Sequence, residues 1–479
     1  MNKLMLPLTY ILLLLMIQTD DKSSSSYASP AGGNMRLKLI HSQAYALKST
    51  YDQMERIKEL VHSDIVRRGT MFSKHHQSTR RKAWEKPRTR TNCSDVSIEM
   101  PISSGRDYGT GQYFVEVKVG TPPQKMLLIA DTGSELTWMS CKRRNRRRGF
   151  RPTRSSTFKT VPCSSRTCKI DFADLFSLAR CPTPSTPCSY DYRYSDGSGA
   201  LGIFARETVT AEITNGKGRA TKVEDVVVGC TLTVQGQSFQ GADGVLGLAY
   251  SNYSFATRAS NMFGGTFSYC LVDHLSHKYL SNYLTFGGVG VASHSPLLSH
   301  MHYTKLDLAT LSPFYAVNVK GISINGALLK IPSLIWAANR GGGTIIDSGT
   351  SLTFLTEPAY RPVVGALRWA LSKRLERTRL DGGGPLEYCY KYNSTSSRLR
   401  FEETWVPRLA FHFSDGARFE PPVKSYVIDA APGVKCLGFV SAMWPGVSVI
   451  GNIMQQNHVW EFNLVQSVLG YAPSTCTSR

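Results

Sequence analysis

The sequence predicts an all-β protein built as two similar lobes. Three observations carry that prediction. Short β-rich runs punctuated by Gly and Pro recur from Gly111 to the C-terminus. Helical patterns are few, one around Ala359 to Glu376 and one near Asp171 to Leu178. A ten-residue segment, IADTGSELTW at 129–138, returns as IIDSGTSLTF at 345–354.

The 479 residues are 42% hydrophobic and 19% charged, enough apolar material for sizeable cores and too much for wholesale disorder. At roughly 150 residues per domain the length allows two or three domains. Lys3 precedes an apolar stretch of 14 residues, Leu4 to Ile17, broken only by Pro7 and Thr9. That is too short to cross a bilayer and suits the core of a signal peptide. Small residues at Ser26 and Ala28 place cleavage after Ala28, so residues 1–28 are the expected signal. A chloroplast transit peptide lacks such an apolar core, and here Asp20 and Asp21 intervene with no Arg before Arg36. No other window reaches 18 apolar residues, so no stable membrane insertion is expected. Sequons at Asn92, Asn252 and Asn393 fit a secretory route, although sequons arise by chance at about this density.

Met54, Ile57, Leu60 and Val61 share helical spacing, and the basic, polar run SKHHQSTRRKAWEKPRTR comes after them. Residues 1–100 hold 16 Lys and Arg against 9 Asp and Glu, a net +7. A helix before an exposed basic linker reads as a removable pro-segment, here 29–105, of a zymogen. From Gly111 the texture is β. GQYFVEVKVGTPPQKMLLIADTGS alternates, turns at Gly120–Pro123 and resumes as an apolar strand. VEDVVVGC, NYLTFGG, FYAVNVKGISING and RLAFHFSDGARFE read as further strands. The expected lobes are 106–300 and 301–479.

The repeat continues beyond its ten residues. Gly247, ending VLG, lies 116 residues after Asp131, and Gly451, ending VIG, lies 104 residues after Asp347. Two such copies imply lobes related by a pseudo-two-fold axis, with both Asp turns at the cleft. Carboxylates about 3 Å apart cannot both ionise cheaply, so they share a proton. The ionised one can take a proton from water while the protonated one donates to a substrate carbonyl, which is general acid–base hydrolysis. Gly133 and Gly349 allow close backbone approach. The hydroxyls of Thr132, Ser134, Ser348 and Thr350 can hold the carboxylates in place. A lone Asp-Thr-Gly would be only a common turn; the matched pair makes it a catalytic signature.

These motifs resemble the pepsin-like aspartic proteases, in the plant nepenthesin-type branch, over about residues 105–479. The resemblance implies two β-barrel lobes around a substrate cleft, with Asp131 and Asp347 as the catalytic pair. It places Tyr194, in DYRYSDGSGALG, on a flap over the cleft, with Trp138 behind it. Ser195 stands where the family usually has Gly, which bears on the shape of the flap. The Asp-Gly-Ser after Tyr194 is itself a turn signal. The resemblance implies an endopeptidase acting on extended polypeptides, a monomer with no cofactor and no metal, in the apoplast, vacuole or extracellular space. Relatives suggest two alternatives: a catalytically weak or inactive binder, and a plastid nucleoid-associated protease in the chloroplast.

Eleven cysteines are present; Cys93 lies in the pro-segment, which leaves ten from Cys141 onward. An even count favours disulfides, and the spacings are not the CxxC pairs of zinc sites. By the resemblance the pairs are Cys163–Cys188, Cys168–Cys181, Cys141–Cys230, Cys270–Cys476 and Cys389–Cys436. The family often has three cysteines after the Trp, whereas Cys141 stands alone here, so one usual bridge is missing. Where the others would lie, Lys142 to Arg154 carries eight Lys and Arg and no acid, a large share of the chain's +21. Such a run can meet nucleic acid, but its sole aromatic is Phe150 and it matches no nucleic-acid fold, so a solvated loop is the better reading. No HExxH, strand–helix GxSxG, P-loop or Rossmann fingerprint competes.

Overall fold

The first hairpin arises directly from alternation. In Tyr113–Val119, Val115, Val117 and Val119 are buried while Glu116 and Lys118 are half-buried on the other face. Its partner, Gln124–Asp131, pairs antiparallel with it, with Phe114 opposite Ile129. Gly120 turns the chain at φ +92°, a left-handed torsion that favours glycine. This computed structural model describes Met35–Arg36, 98–104 and 111–476, except 143–148, 173–174, 176–178, 195–197, 213–219, 237–238, 240, 274–281, 288–299, 381–385 and 393–400. The signal segment and almost all of the pro-segment therefore lie outside the described residues, as do Asn92 and Asn393.

The repeat seen in the sequence is a repeat of strand pairing. In the first lobe, Gln124–Asp131 runs parallel to Gly244–Gly247, with Ile129 opposite Val245 and Asp131 opposite Gly247. Thr137–Ser140 runs parallel to Ala220–Gln235, and Trp138 faces Val245 antiparallel. In the second lobe, Thr344–Ile346 runs parallel to Ser448–Ile450, with Ile345 opposite Val449. Thr353–Thr356 runs parallel to Phe439–Ala442, and Phe354 faces Val449 antiparallel. Each turn-bearing strand thus lies beside its own apolar-apolar-Gly strand. The glycines are needed there. A Cβ on Gly247 would lie 2.7 Å from the Glu135 carbonyl oxygen, and one on Gly451 2.2 Å from that of Leu352.

A shared sheet joins the lobes. Its strands run Ile98–Ser104, Asn282–Phe286, Thr266–Cys270, His458–Asn463, Val468–Pro473 and His302–Asp307, each antiparallel to the next. Helices are few. Glu357–Ser372 is the helix expected at 359–376, and it stops earlier because Glu376–Thr378 pairs as a strand. It buries Ala359, Tyr360, Val363, Val364, Leu367 and Leu371 along one stripe. Near 171–178 a helical turn covers Thr167–Asp171, while 173–174 and 176–178 lie outside the described residues. Phe255–Met262 is a helix the sequence did not announce; Ser254 caps it by accepting from the Thr257 N–H at 3.2 Å.

Five disulfides staple these elements. Cys141–Cys230, Cys270–Cys476 and Cys389–Cys436 have the partners the resemblance implied. The other four are exchanged relative to expectation: Cys163 joins Cys181, and Cys168 joins Cys188. Cys163, Cys168 and Cys188 are all buried in one apolar cluster while Cys181 is exposed, so burial alone does not choose the partners. The sulfurs of Cys163, Cys168 and Cys181 lie within 4.8 Å of one another, so small local rotations decide the pairing. Spacing along the chain does not contain that information.

Candidate active site

Asp131 ends its strand and Asp347 immediately succeeds its own, both carboxylates buried at 1% and 0% exposure. Each is held by its own turn in the same way. The Gly133 N–H donates to Asp131 Oδ1 at 2.9 Å, and the Gly349 N–H donates to Asp347 Oδ1 at 2.9 Å. Ser134 Oγ donates to Asp131 Oδ2 at 2.8 Å, and Thr350 Oγ1 donates to Asp347 Oδ2 at 2.5 Å. Such backbone and hydroxyl donors fix the orientation of a carboxyl group.

The two turns also grip each other. The Ser348 N–H donates to Thr132 Oγ1 at 2.8 Å, and the Thr132 N–H donates to Ser348 Oγ at 3.1 Å. Ser348 Oγ in turn donates to the Ala130 carbonyl at 3.0 Å, while Thr132 Oγ1 reaches Asp347 Oδ1 at 3.4 Å. Residues 216 positions apart in the chain are thereby locked across the pseudo-two-fold axis. Neither turn can shift without disturbing the other.

Buried amides support the second turn from behind, and sequence reasoning missed them. Asn452 Nδ2 donates to the Ser348 carbonyl at 3.0 Å and to the Gly111 carbonyl at 2.9 Å, so it spans both halves of the chain. Gln455 Nε2 donates to the Asp347 carbonyl at 3.1 Å, and its Oε1 accepts from the Tyr269 hydroxyl at 2.5 Å. On the opposite side the Tyr250 N–H donates to the Pro313 carbonyl at 2.8 Å, and the Tyr315 hydroxyl to the Leu248 carbonyl at 2.7 Å. The available signal was NIMQQ, three amide side chains directly after VIG, all of them buried in the structure.

The hairpin expected to carry the flap is formed by Ser189–Arg193 and Gly199–Glu212. The Tyr194 N–H donates to the Ser198 carbonyl at 2.9 Å, which closes the described base of the turn; Ser195 lies outside the described residues. The Trp138 indole N–H donates to the Tyr194 hydroxyl at 2.6 Å. Phe239 completes the group, 4.9 Å from Trp138 and 5.0 Å from Tyr194 between ring centroids, edge to face with both. The disulfide-stapled insert is fastened to the same hairpin. Arg180 pairs its backbone with Ser189 and places its guanidinium 3.3 Å from Asp191.

The remaining expected features fall elsewhere. Asn252 is exposed, on the loop before the Phe255–Met262 helix. Within the basic run, 143–148 lie outside the described residues. Its one aromatic, Phe150, is buried and packs on Phe158 at 5.9 Å, so it offers no platform for a base. No helix among the described residues is long and apolar enough to cross a membrane.

Known proteins resemble this chain in sequence and in fold. Residues 113–288 match the family model described as xylanase inhibitor N-terminal, and 314–473 match xylanase inhibitor C-terminal. The chain is 34% identical to aspartyl protease family protein 2 of Arabidopsis thaliana, over 78% of this chain and 73% of that protein. It is 30% identical to aspartic proteinase nepenthesin-2 of Nepenthes gracilis, over 80% and 81%. Among solved structures, edgp superposes with a TM-score of 0.63 at 20% identity, covering 81% of this chain and 97% of that one. Basic 7S globulin from soybean gives 0.61 at 20% identity, over 79% and 97%.

Proposed function

Because this chain belongs to the plant aspartyl protease family, we propose that it is an aspartic endopeptidase whose two turns share one proton and activate water. The observation that carries the reading is the reciprocal bonding of the Asp131 and Asp347 turns. Each carboxylate has the same N–H and hydroxyl donors, and each turn bonds the other.

In the proposed cycle the ionised carboxylate accepts a proton from water as the oxygen attacks the scissile carbonyl carbon. The protonated carboxylate donates to the carbonyl oxygen, which yields a tetrahedral diol. Return of a proton to the amide nitrogen lets the C–N bond break, leaving an acid and an amine. Tyr194 covers an extended substrate, and Trp138 fixes its hydroxyl. The protein is made as a zymogen with signal 1–28 and pro-segment 29–105, takes the secretory route as a monomer, and carries glycan at Asn252. The chloroplast is the alternative destination.

Cleavage of a denatured protein at acid pH tests the reading, with and without pepstatin, a transition-state mimic. Pepstatin-sensitive cleavage is expected. A processed protein that cleaves nothing but inhibits a xylanase would replace this reading with a binding function, the role named in the matching family models.

A further inference from the structure

The outer face of the Glu357–Ser372 helix and the segment after it carry charge that the cleft does not use. Residues 357–380 hold six Lys and Arg and two acids. Both acids are occupied: Glu357 accepts from Arg361 Nε at 3.0 Å, and Glu376 lies 3.7 Å from Lys391. Among the described residues, Arg368, Lys373, Arg374 and Arg377 form no ion pair with a carboxylate. They rest on aromatic rings instead. Arg368 and Arg377 flank Tyr388 at 5.5 and 5.1 Å, Arg374 lies 5.4 Å from Trp405, and Lys373 lies 3.2 Å from Trp369.

That arrangement differs from a solvated charge run. Cation–π contacts hold the four side chains in place, so less freedom is lost when they grip a ligand. Guanidinium forks match carboxylates in bidentate fashion. Trp369 is 66% exposed among them; Lys373 covers one face of its ring, and the remaining exposed ring surface is open to the flat face of a sugar. A lipid surface would need an apolar face to insert, yet this helix buries its apolar stripe in the lobe. Single-stranded nucleic acid would need several open rings, yet Tyr388 and Trp405 are half-buried with guanidinium groups over them. Five disulfides point to an oxidising compartment. We propose that this face binds a carboxylated polysaccharide, a polyuronate, independently of catalysis at the cleft.

The test is retention of the full processed chain on immobilised polygalacturonate and on its fully methyl-esterified form. Binding is expected to the free acid and not to the ester. The combined variant Arg368→Gln, Arg374→Gln, Arg377→Gln is expected to bind about tenfold more weakly, since it removes three charge-assisted contacts. Its cleavage of a denatured protein and its thermal midpoint are expected to match the parent. Trp369→Ala is expected to weaken binding without changing charge, which gives a second reading should the triple variant fold poorly. Lys142→Gln, Arg151→Gln, Arg154→Gln removes the same charge elsewhere and is expected to bind as the parent does. Equal loss in both triple variants, equal binding to the ester, or preference for single-stranded DNA or phosphatidylserine vesicles over polygalacturonate would each overturn the proposal.

Discussion

Ser134 and Thr350 each donate to the Oδ2 of a buried aspartate, a bond that is charge-assisted when the carboxyl is ionised. Such a bond contributes ~1.5–3 kcal/mol. Ser134→Ala is therefore expected to lower kcat by ten- to a hundredfold, roughly that energy, with KM changed by less than about twofold. A kcat equal to the parent's would show that the hydroxyl plays no part in positioning. Trp138→Phe keeps the ring beside Phe239 but removes the bond to Tyr194. Its kcat/KM is expected to fall by up to about tenfold, the scale of one neutral hydrogen bond. An unaffected kcat/KM would mean that Tyr194 does not need that anchor. The carboxylates, glycines and hydroxyls of the turns were legible because the motif occurs twice. Asn452 and Gln455 were not, because their roles depend on carbonyls that only folding brings near: Gly111 is 341 positions away from Asn452.

At the scale of elements, strands were readable from alternation, and the repeat fixed which of them are equivalent. The physical reason for VLG and VIG became visible only in the pairing, where each glycine passes a neighbouring carbonyl too closely for a side chain. Gly451→Ala places a Cβ 2.2 Å from the Leu352 oxygen and 2.6 Å from its carbon, atoms that belong to backbone. The substitution is expected to cost ~3 kcal/mol, the upper end of ordinary overpacking. Chemical denaturation checks this, and a midpoint equal to the parent's would contradict the close packing described. The cysteine pairing in the insert was not legible, since the sulfurs of Cys163, Cys168 and Cys181 gather within 4.8 Å of one another and sequence spacing does not distinguish between them. Non-reducing peptide mapping is expected to return Cys163–Cys181 and Cys168–Cys188.

Across the whole molecule, the sheet shared by the lobes is expected to respond to pH through one buried histidine. His458 lies on it, with its ring against Phe419 and Trp460 and its Nδ1 beside the Gln456 carbonyl. Burial lowers its pKa from the usual imidazole value, partly offset by that carbonyl. The unfolded chain therefore binds the proton more readily, and stability rises with pH through this window. The contribution is complete above about pH 6.5 and is lost as the pH falls from there toward the folded pKa. His458→Asn is expected to show a smaller drop in thermal midpoint than the parent between about pH 7 and pH 5. Equal drops would remove His458 from the acid response. The proposed chemistry needs the two halves to act as one, with carboxylates fixed by two equivalent turns that bond each other. The most direct test is the cleavage rate of Asp131→Asn, Asp347→Asn and the double variant at the parent's optimum pH. If the pair works as a unit, each single change removes nearly all activity and the double is no worse than either. A single variant retaining the parent's rate, or losses that multiply in the double, would contradict it.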